Sequence, residues 1–314
     1  MLTKRNLFIL IGLLILLDLA SFFVYFMGHI NKDGKNPIEY VMDKADTISV
    51  EMDSDSVPAE FVTDKFDTIA RVENYVSKNL MQVGATSKPM TCSVKIKFVC
   101  PKSINDNSNL DDLHAELMRQ LSSNAPGNVN DAVEWLLENP EFAQPSSSYT
   151  VSSAVNPIDS LRYTMQRYRV FPYISTHYLL EMVVLVEKLG GKKLSREMNI
   201  VHYNRVENEL IGFNKIFNAS KESAILALIN RNIAKAKTTG NHPNWHEALA
   251  LPSEFLLGKK SVIFYFADGD IAPRGTGLHQ ISVSNEELAP FFTDFYKDVL
   301  KNDGHLVAYN FVSI

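Results

Sequence analysis

The chain has 314 residues, 46% of them hydrophobic, and carries 31 Lys and Arg against 36 Asp and Glu, a formal net charge of -5. That length and apolar content support one large core or two modest ones. The charge argues against a nucleic-acid partner, which requires a basic face to displace counterions from phosphates, and the pairs Lys192-Lys193 and Lys259-Lys260 read as solvated turns.

Lys4 and Arg5 precede an apolar run from Leu7 to Met27, interrupted by Asp18 and Ser21. Roughly 21 residues at about 1.5 Å each give about 31 Å of helix, which matches bilayer hydrocarbon. The run therefore predicts a membrane span over residues 7–27, the N-terminus cytoplasmic and the bulk of the chain periplasmic or otherwise extracytoplasmic. It exceeds the about 7–15 apolar residues of a secretory signal and lacks a small-x-small cleavage site, which favours an uncleaved anchor at 1–30. Asp18 costs about 2.5–3.5 kcal/mol in the span, offset either by a polar partner in the membrane or by the surrounding leucines.

Residues 31–62 are acidic and rich in turn formers and read as a tether, with a short strand expected at Thr47–Val50. From Phe66 to Val76 the pattern is mixed, with Ile69, Val72 and Val76 on a helical stripe but Phe66, Thr68 and Ala70 on a strand face. Met90–Val99 alternates Cys92, Val94, Ile96 and Phe98 against Ser93, Lys95 and Lys97, a half-buried strand with a lysine-bearing outer face that Pro101 is expected to end. Along such a strand Cys92 and Cys100 lie about 26 Å apart, too far for a disulfide, so two buried free thiols are expected.

Asn109 and then Asn130 or Asp131 open two amphipathic helices, the first on Leu110, Leu113, Leu117 and Leu121, the second on Val133, Trp135, Leu136 and Leu137. Gln144–Pro157 is a Ser-rich loop, β-branched content around Val183–Val186 predicts a strand, and Asn199–Asn204 continues as a further one. Ser220 is expected to cap a helix burying Ile225, Leu228, Ile229 and Ile233. Val262–Phe266 reads as a strand, followed by a loop shaped by Asp268-Gly269-Asp270, Pro273, Gly275 and Gly277, then a strand at Gln280–Val283. Ser284 and Glu287 stand at capping-box spacing, Pro290 can start another helix carrying Phe295 and Val299, and His305–Val312 reads as a last strand. Clustered strands with helices inserted between them predict an α+β fold with mixed and antiparallel sheets.

The motif residues Phe264, Tyr265 and Phe266, then Asp270, Ile271, Ala272 and Pro273, then Gly277, and finally Glu287 and Leu288 resemble the core of the RsiV-like family, domain of unknown function 3298. Gly212–Phe217 with the following helix, and Pro89–Pro101 as the first strand of the family's usual companion domain, extend the likeness over roughly residues 63–302. The resemblance implies a companion domain at 63–190, an RsiV-like domain at 191–314, and an extracytoplasmic module that recognises a glycan, peptidoglycan or a lysozyme-like protein. The sequence departs from the family at Gly269, where a tyrosine is usual, at Arg274, where a second aromatic is usual, and at Gly191-Lys192-Lys193 in place of a Gly-Gly-Ala-His run.

Candidate chemistry is sparse. Asp268 and Asp270, with His279 after the glycine-rich loop, are the acid/base candidates, yet two carboxylates in a turn more commonly accept backbone amides. Tyr265, Trp245, Arg274 and Asp270 are the ligand-binding candidates, the first three as an aromatic and cationic floor, with core packing the default for Tyr265 and Trp245. His242 and His246 have zinc-like i, i+4 spacing, but Pro243 and the lack of HExxH favour a loop role, so no metal or cofactor is expected. The reading favoured is a membrane-anchored binding or sensing protein of the bacterial envelope; the alternative is a cell-wall or polysaccharide hydrolase using Asp268, Asp270 and a histidine.

Overall fold

Strands that bury one or both faces set the architecture. The computed structural model describes residues 64–146, 148–152, 161–190, 193–239, 242–258, 260–302 and 307–308, so the span expected at 7–27, the tether at 31–62 and most of the C-terminal strand lie outside the described residues. Among the described residues no helix is long and apolar enough to cross a membrane.

The chain opens with β1 (Lys65–Val83) and β2 (Thr86–Ser103), a long antiparallel hairpin. Two helices follow, α1 (Asp111–Leu121) and α2 (Val129–Glu138), then β3 (Tyr149–Ser152), β4 (Tyr163–Ser175), β5 (Leu179–Gly190), β6 (Lys193–Asn204) and β7 (Glu209–Ile211). These strands form one sheet in the order β3-β1-β2-β4-β5-β6-β7, with β11 (Val307–Ala308) beside β4. β2 and β4 run parallel, and the other pairs are antiparallel. β5 and β6 pair from Leu179↔Asn204 to Gly190↔Lys193, so the large sheet continues across the 190/191 boundary.

Beyond β7 lie α3 (Phe213–Ile216), α4 (Glu222–Thr238), a three-stranded sheet of β8 (Glu254–Leu257), β9 (Ser261–Phe266) and β10 (His279–Ser284), and then α5 (Asn285–Leu288) and α6 (Asp294–Asn302). The elements stack in layers. Leu113, Leu117, Val133 and Leu136 of α1 and α2 pack on Val94, Phe98, Val184 and Val201 from one face of the large sheet. From the opposite face Val183, Leu185 and Met198 meet Leu256 and Tyr265 of the small sheet. The far side of the small sheet, Val262, Phe264 and Phe266, packs with Ile225, Ile229 and Ile233 of α4. β9 is apolar without alternation because both its faces are buried, and Phe264 pairs with Ile281 as the hairpin requires.

Local signals hold where partners are close in sequence. The Ser284 hydroxyl accepts the Glu287 amide at 3.3 Å, completing the expected cap. The 66–76 segment, read as helix or strand, is strand throughout, within β1. Three expectations are corrected. β2 continues through Pro101 to Ser103. Pro101 is tolerated because β4 pairs with β2 only over Thr91–Phe98, so the missing amide faces no β4 partner. The second helix begins at Val129, capped by the Asn128 side chain, and Asn218, not Ser220, is the capping side chain before α4, accepting the Ser220 amide at 3.1 Å. Cys92 and Cys100 are buried free thiols on one strand, and burial pushes them up to about 11 and about 12.

Candidate functional site

The glycine-rich loop between β9 and β10 is organised by one carboxylate. Gly275, Thr276 and Gly277 donate their amides to Asp268 at 2.8, 3.0 and 2.9 Å. These bonds favour the charged form, and the Asp268 carboxyl is held below its ordinary value by them, with the Gly275 contact foremost. Gly275 and Gly277 adopt φ of 88° and 86°, a region glycine enters without strain, which lets successive amides converge on one acceptor. Asp270 closes the neighbouring turn by accepting the Ala267 amide at 3.0 Å. Ile271 and Ala272 insert into the core behind the loop. Gly269 sits at φ 97°, and a Cβ there would lie 2.9 Å from Cγ of Arg274. The two departures from the resembled family thus belong together, the arginine stem occupying space that the glycine leaves open.

His279 lies 2.8 Å from the Thr276 hydroxyl, which donates its proton to the Pro273 carbonyl at 2.6 Å. The hydroxyl therefore accepts from His279 Nε2, which fixes that nitrogen as a donor. Burial and the nearby His242 lower the His279 pKa, against the pull of Asp268. Trp245 stacks on His242 with ring centroids 3.9 Å apart and meets His279 edge-on at 5.4 Å. His246 lies in the same loop with its Nδ1 3.1 Å from the Glu247 carbonyl, and among the described residues no group of three or more His, Cys, Asp or Glu could hold a metal ion.

The structure thus brings Asp268, Asp270, Arg274, His279 and Trp245 to one end of the small sheet, but Tyr265 faces the other way, into the layer between the sheets. There it joins a buried set that the sequence did not reveal. Glu181 and His202, from adjacent strands, lie 3.0 Å apart with side chains 0% and 6% exposed. One Glu181 oxygen also accepts the Leu257 amide at 2.9 Å, while Oε2 has no hydrogen-bond partner. Burial raises the Glu181 pKa above the ordinary carboxylate value, and hydrogen bonding and charge attraction from His202 only partly oppose it. Tyr173 is likewise pushed up to about 12 by burial, and Glu181 adds to the push.

The Glu181 shift has a definite consequence for stability. A carboxyl whose folded pKa is raised binds more protons folded than unfolded, so its stabilising contribution is complete below the unfolded value and is lost as pH rises through the folded value. Urea unfolding across this range is expected to show wild type losing stability relative to Glu181→Gln as pH increases, because the amide retains the Leu257 bond without a charge. Parallel pH profiles for the two proteins would overturn this.

A second unforeseen cluster lies on the same face of the large sheet. Glu187, fully buried, is clamped by Arg196 through Nε at 2.8 Å and Nη2 at 2.5 Å, by Arg169 at 3.2 Å and by Arg167 at 3.5 Å. Alternating basic residues in Arg167-Tyr168-Arg169 were the available signal; strand register supplied the rest. A cavity of about 370 Å³ on the opposite side is walled by Met81, Phe142, Leu161 and Met165, with the Lys188 and Glu141 ion pair, 2.6 Å, among its lining residues.

Neither a protein-family model nor a curated protein matches the sequence. Solved structures do resemble it, among them two from the DUF3298 family. A crystal structure of a member of the DUF3298 family from Bacteroides fragilis NCTC 9343 superposes with a TM-score of 0.58 at 14% identity, covering 78% of this chain and 98% of that one. A DUF3298 family protein from Pseudomonas aeruginosa PAO1 gives a TM-score of 0.48 at 12% identity, over 74% and 97% of the two chains. At the first of these values the likeness is one of fold, and the chain has the α+β fold of the DUF3298 family.

Proposed function

We propose that this protein is a single-pass, membrane-anchored binding or sensing protein whose folded part works on the extracytoplasmic side of a bacterial envelope, with a glycan, peptidoglycan or muramidase-like protein as ligand. The apolar run Leu7–Met27 behind Lys4 and Arg5 supports the anchor and its orientation. The observation that carries binding over hydrolysis is the commitment of Asp268, whose oxygens accept the amides of Gly275, Thr276 and Gly277. A carboxylate saturated by backbone donors and held at low pKa is a poor proton carrier at neutral pH. His279 is likewise tied, through Nε2, to Thr276.

The test uses the full chain in neutral detergent, incubated with peptidoglycan fragments or with lysozyme, with retention and released product assayed together. Retention without product is expected. Turnover that Asp270→Asn abolishes would overturn the binding reading in favour of a hydrolase. In intact spheroplasts, added protease is expected to digest the folded part, and full protection would overturn the orientation.

A further inference from the structure

The two sheets meet at β8, where titratable side chains of each bond to the backbone of the other. The Gly258 amide donates to the Ser261 carbonyl at 2.9 Å, and Leu256 and Glu254 lie opposite Ile263 and Tyr265. Alternation along an antiparallel pair therefore turns the backbone groups of Phe255 and Leu257 away from β9, to the free edge of the small sheet. An edge of that kind needs a partner or a cover. Side chains of the large sheet stand in for a strand. Glu181 Oε1 accepts the Leu257 amide at 2.9 Å, and His202 Nε2 lies 3.1 Å from the Phe255 carbonyl. In the opposite direction, Glu254 of β8 accepts the Ile200 amide of β6 at 2.5 Å. The imidazole also stacks on the Phe255 ring with centroids 4.6 Å apart, which holds its plane.

A carbonyl only accepts, so His202 Nε2 carries a hydrogen, and the same nitrogen lies 3.0 Å from Glu181. Glu181 is left with Oε2, buried and without a hydrogen-bond partner. In the acid form that atom is a lone hydroxyl; in the carboxylate it shares a buried charge, which costs far more. The titratable groups facing this seam are Tyr173 of β4, Glu181 of β5, His202 and Glu197 of β6, Glu254 of β8 and Tyr265 of β9. Of these only His202 can bring positive charge. Burial is the foremost cause that holds Glu254 above the ordinary carboxylate value, as it is for Glu181.

We propose that Glu181, His202 and Glu254 form a proton-operated latch between the two sheets, closed while both carboxyls hold their protons and loosened when they ionise. The latch governs how the small sheet, which carries the Asp268 loop between β9 and β10, docks on the large one. Its direction follows from linkage. Groups whose folded pKa is raised contribute stability that is complete below the unfolded value and is lost as pH rises through the folded value, so the seam opens toward alkaline pH. The opening is local, because the bonds lost are those between the sheets while each sheet keeps its own ladder.

Residue-resolved amide hydrogen exchange on the full chain in neutral detergent, corrected for intrinsic pH dependence, tests this between about pH 5 and about pH 8. The Leu257 and Ile200 amides, which end on the two carboxyls, should lose at least about tenfold in protection over that range, beyond any change at Val184 and Val262. Val184 and Val262 pair with Asn199 and Val283 inside their own sheets and report global opening. In Glu181→Gln with Glu254→Gln the excess loss should vanish, since an amide keeps an acceptor oxygen and acquires no charge. His202→Gln keeps a donor beside Phe255 and should retain the loss. Protection at Leu257 that stays flat or rises with pH would overturn the latch, as would an equal change at the seam and the two valines, and either result is read on the wild-type protein alone. Excess loss that persists in the double variant, or disappears in His202→Gln, would overturn it by assigning the titration to another group.

Discussion

Replacing Glu187 by alanine is expected to cost about 3–5 kcal/mol, the range seen when one partner of a buried charge cluster is removed. The carboxylate is completely buried, and its oxygens are shared among Arg167, Arg169 and Arg196, whose side chains are themselves mostly covered. Alanine would remove a buried acceptor that three guanidiniums share, with mutual repulsion and lost hydrogen bonds acting in the same direction. The loss of this shared negative charge accounts for most of the cost, since the cavity left by a glutamate side chain is modest. Lys188→Ala supplies the contrast one residue away. Its ion pair with Glu141 has side chains 41% and 57% exposed, so its loss should stay within about 1 kcal/mol. Urea midpoints, which leave electrostatics unscreened, measure both. A loss below about 1 kcal/mol for Glu187→Ala would mean that the arginines swing to solvent and that the clamp contributes little.

Phe217→Ala should cost a similar amount, about 3–5 kcal/mol, by a different mechanism. Its ring is fully buried and meets those of Phe213, Phe292, Phe255 and Phe264 at centroid distances of 4.8, 5.4, 5.5 and 6.1 Å. Through these contacts one side chain joins α3, the segment before α6, and two strands of the small sheet. Its backbone also bridges Phe292, so the surrounding elements are pinned and cannot collapse into the void. Phe217→Leu retains most of the volume and should cost less than about 1.5 kcal/mol. Leu249, 93% exposed, should tolerate alanine within about 0.5 kcal/mol. Equal unfolding midpoints for Phe217→Ala and Phe217→Leu would show that the layer repacks freely.

Sequence patterning proved informative over short ranges. The Cys92-to-Phe98 alternation, the α4 apolar stripe and the Ser284 cap each rest on residues within a few positions of one another, and each stands in the fold. The same local reasoning puts Asp268 and Asp270 in turn chemistry, and both accept backbone amides. It fails where one element has to be weighed against distant neighbours. Phe66–Val76 reads equally as helix or strand until β2 pairs with it over its whole length. Tyr265 and Trp245 read from sequence as parts of one floor, yet Tyr265 on β9 faces the layer between the sheets while Trp245, in the loop before β8, packs into the layer on the other side of the small sheet.

By itself, the sequence determined the long apolar N-terminal run, the strand-rich α+β character, the glycine-shaped loop closed by Asp268 and the separation of Cys92 from Cys100, because each follows from chain geometry or from groups a few residues apart. Only the tertiary structure decided that Lys95, Arg167, Glu187 and Arg196 form one rung, and that Glu181 and His202 meet between two sheets. Those associations depend on strand order and register, and a shift of one residue would send each side chain to the other face of the sheet.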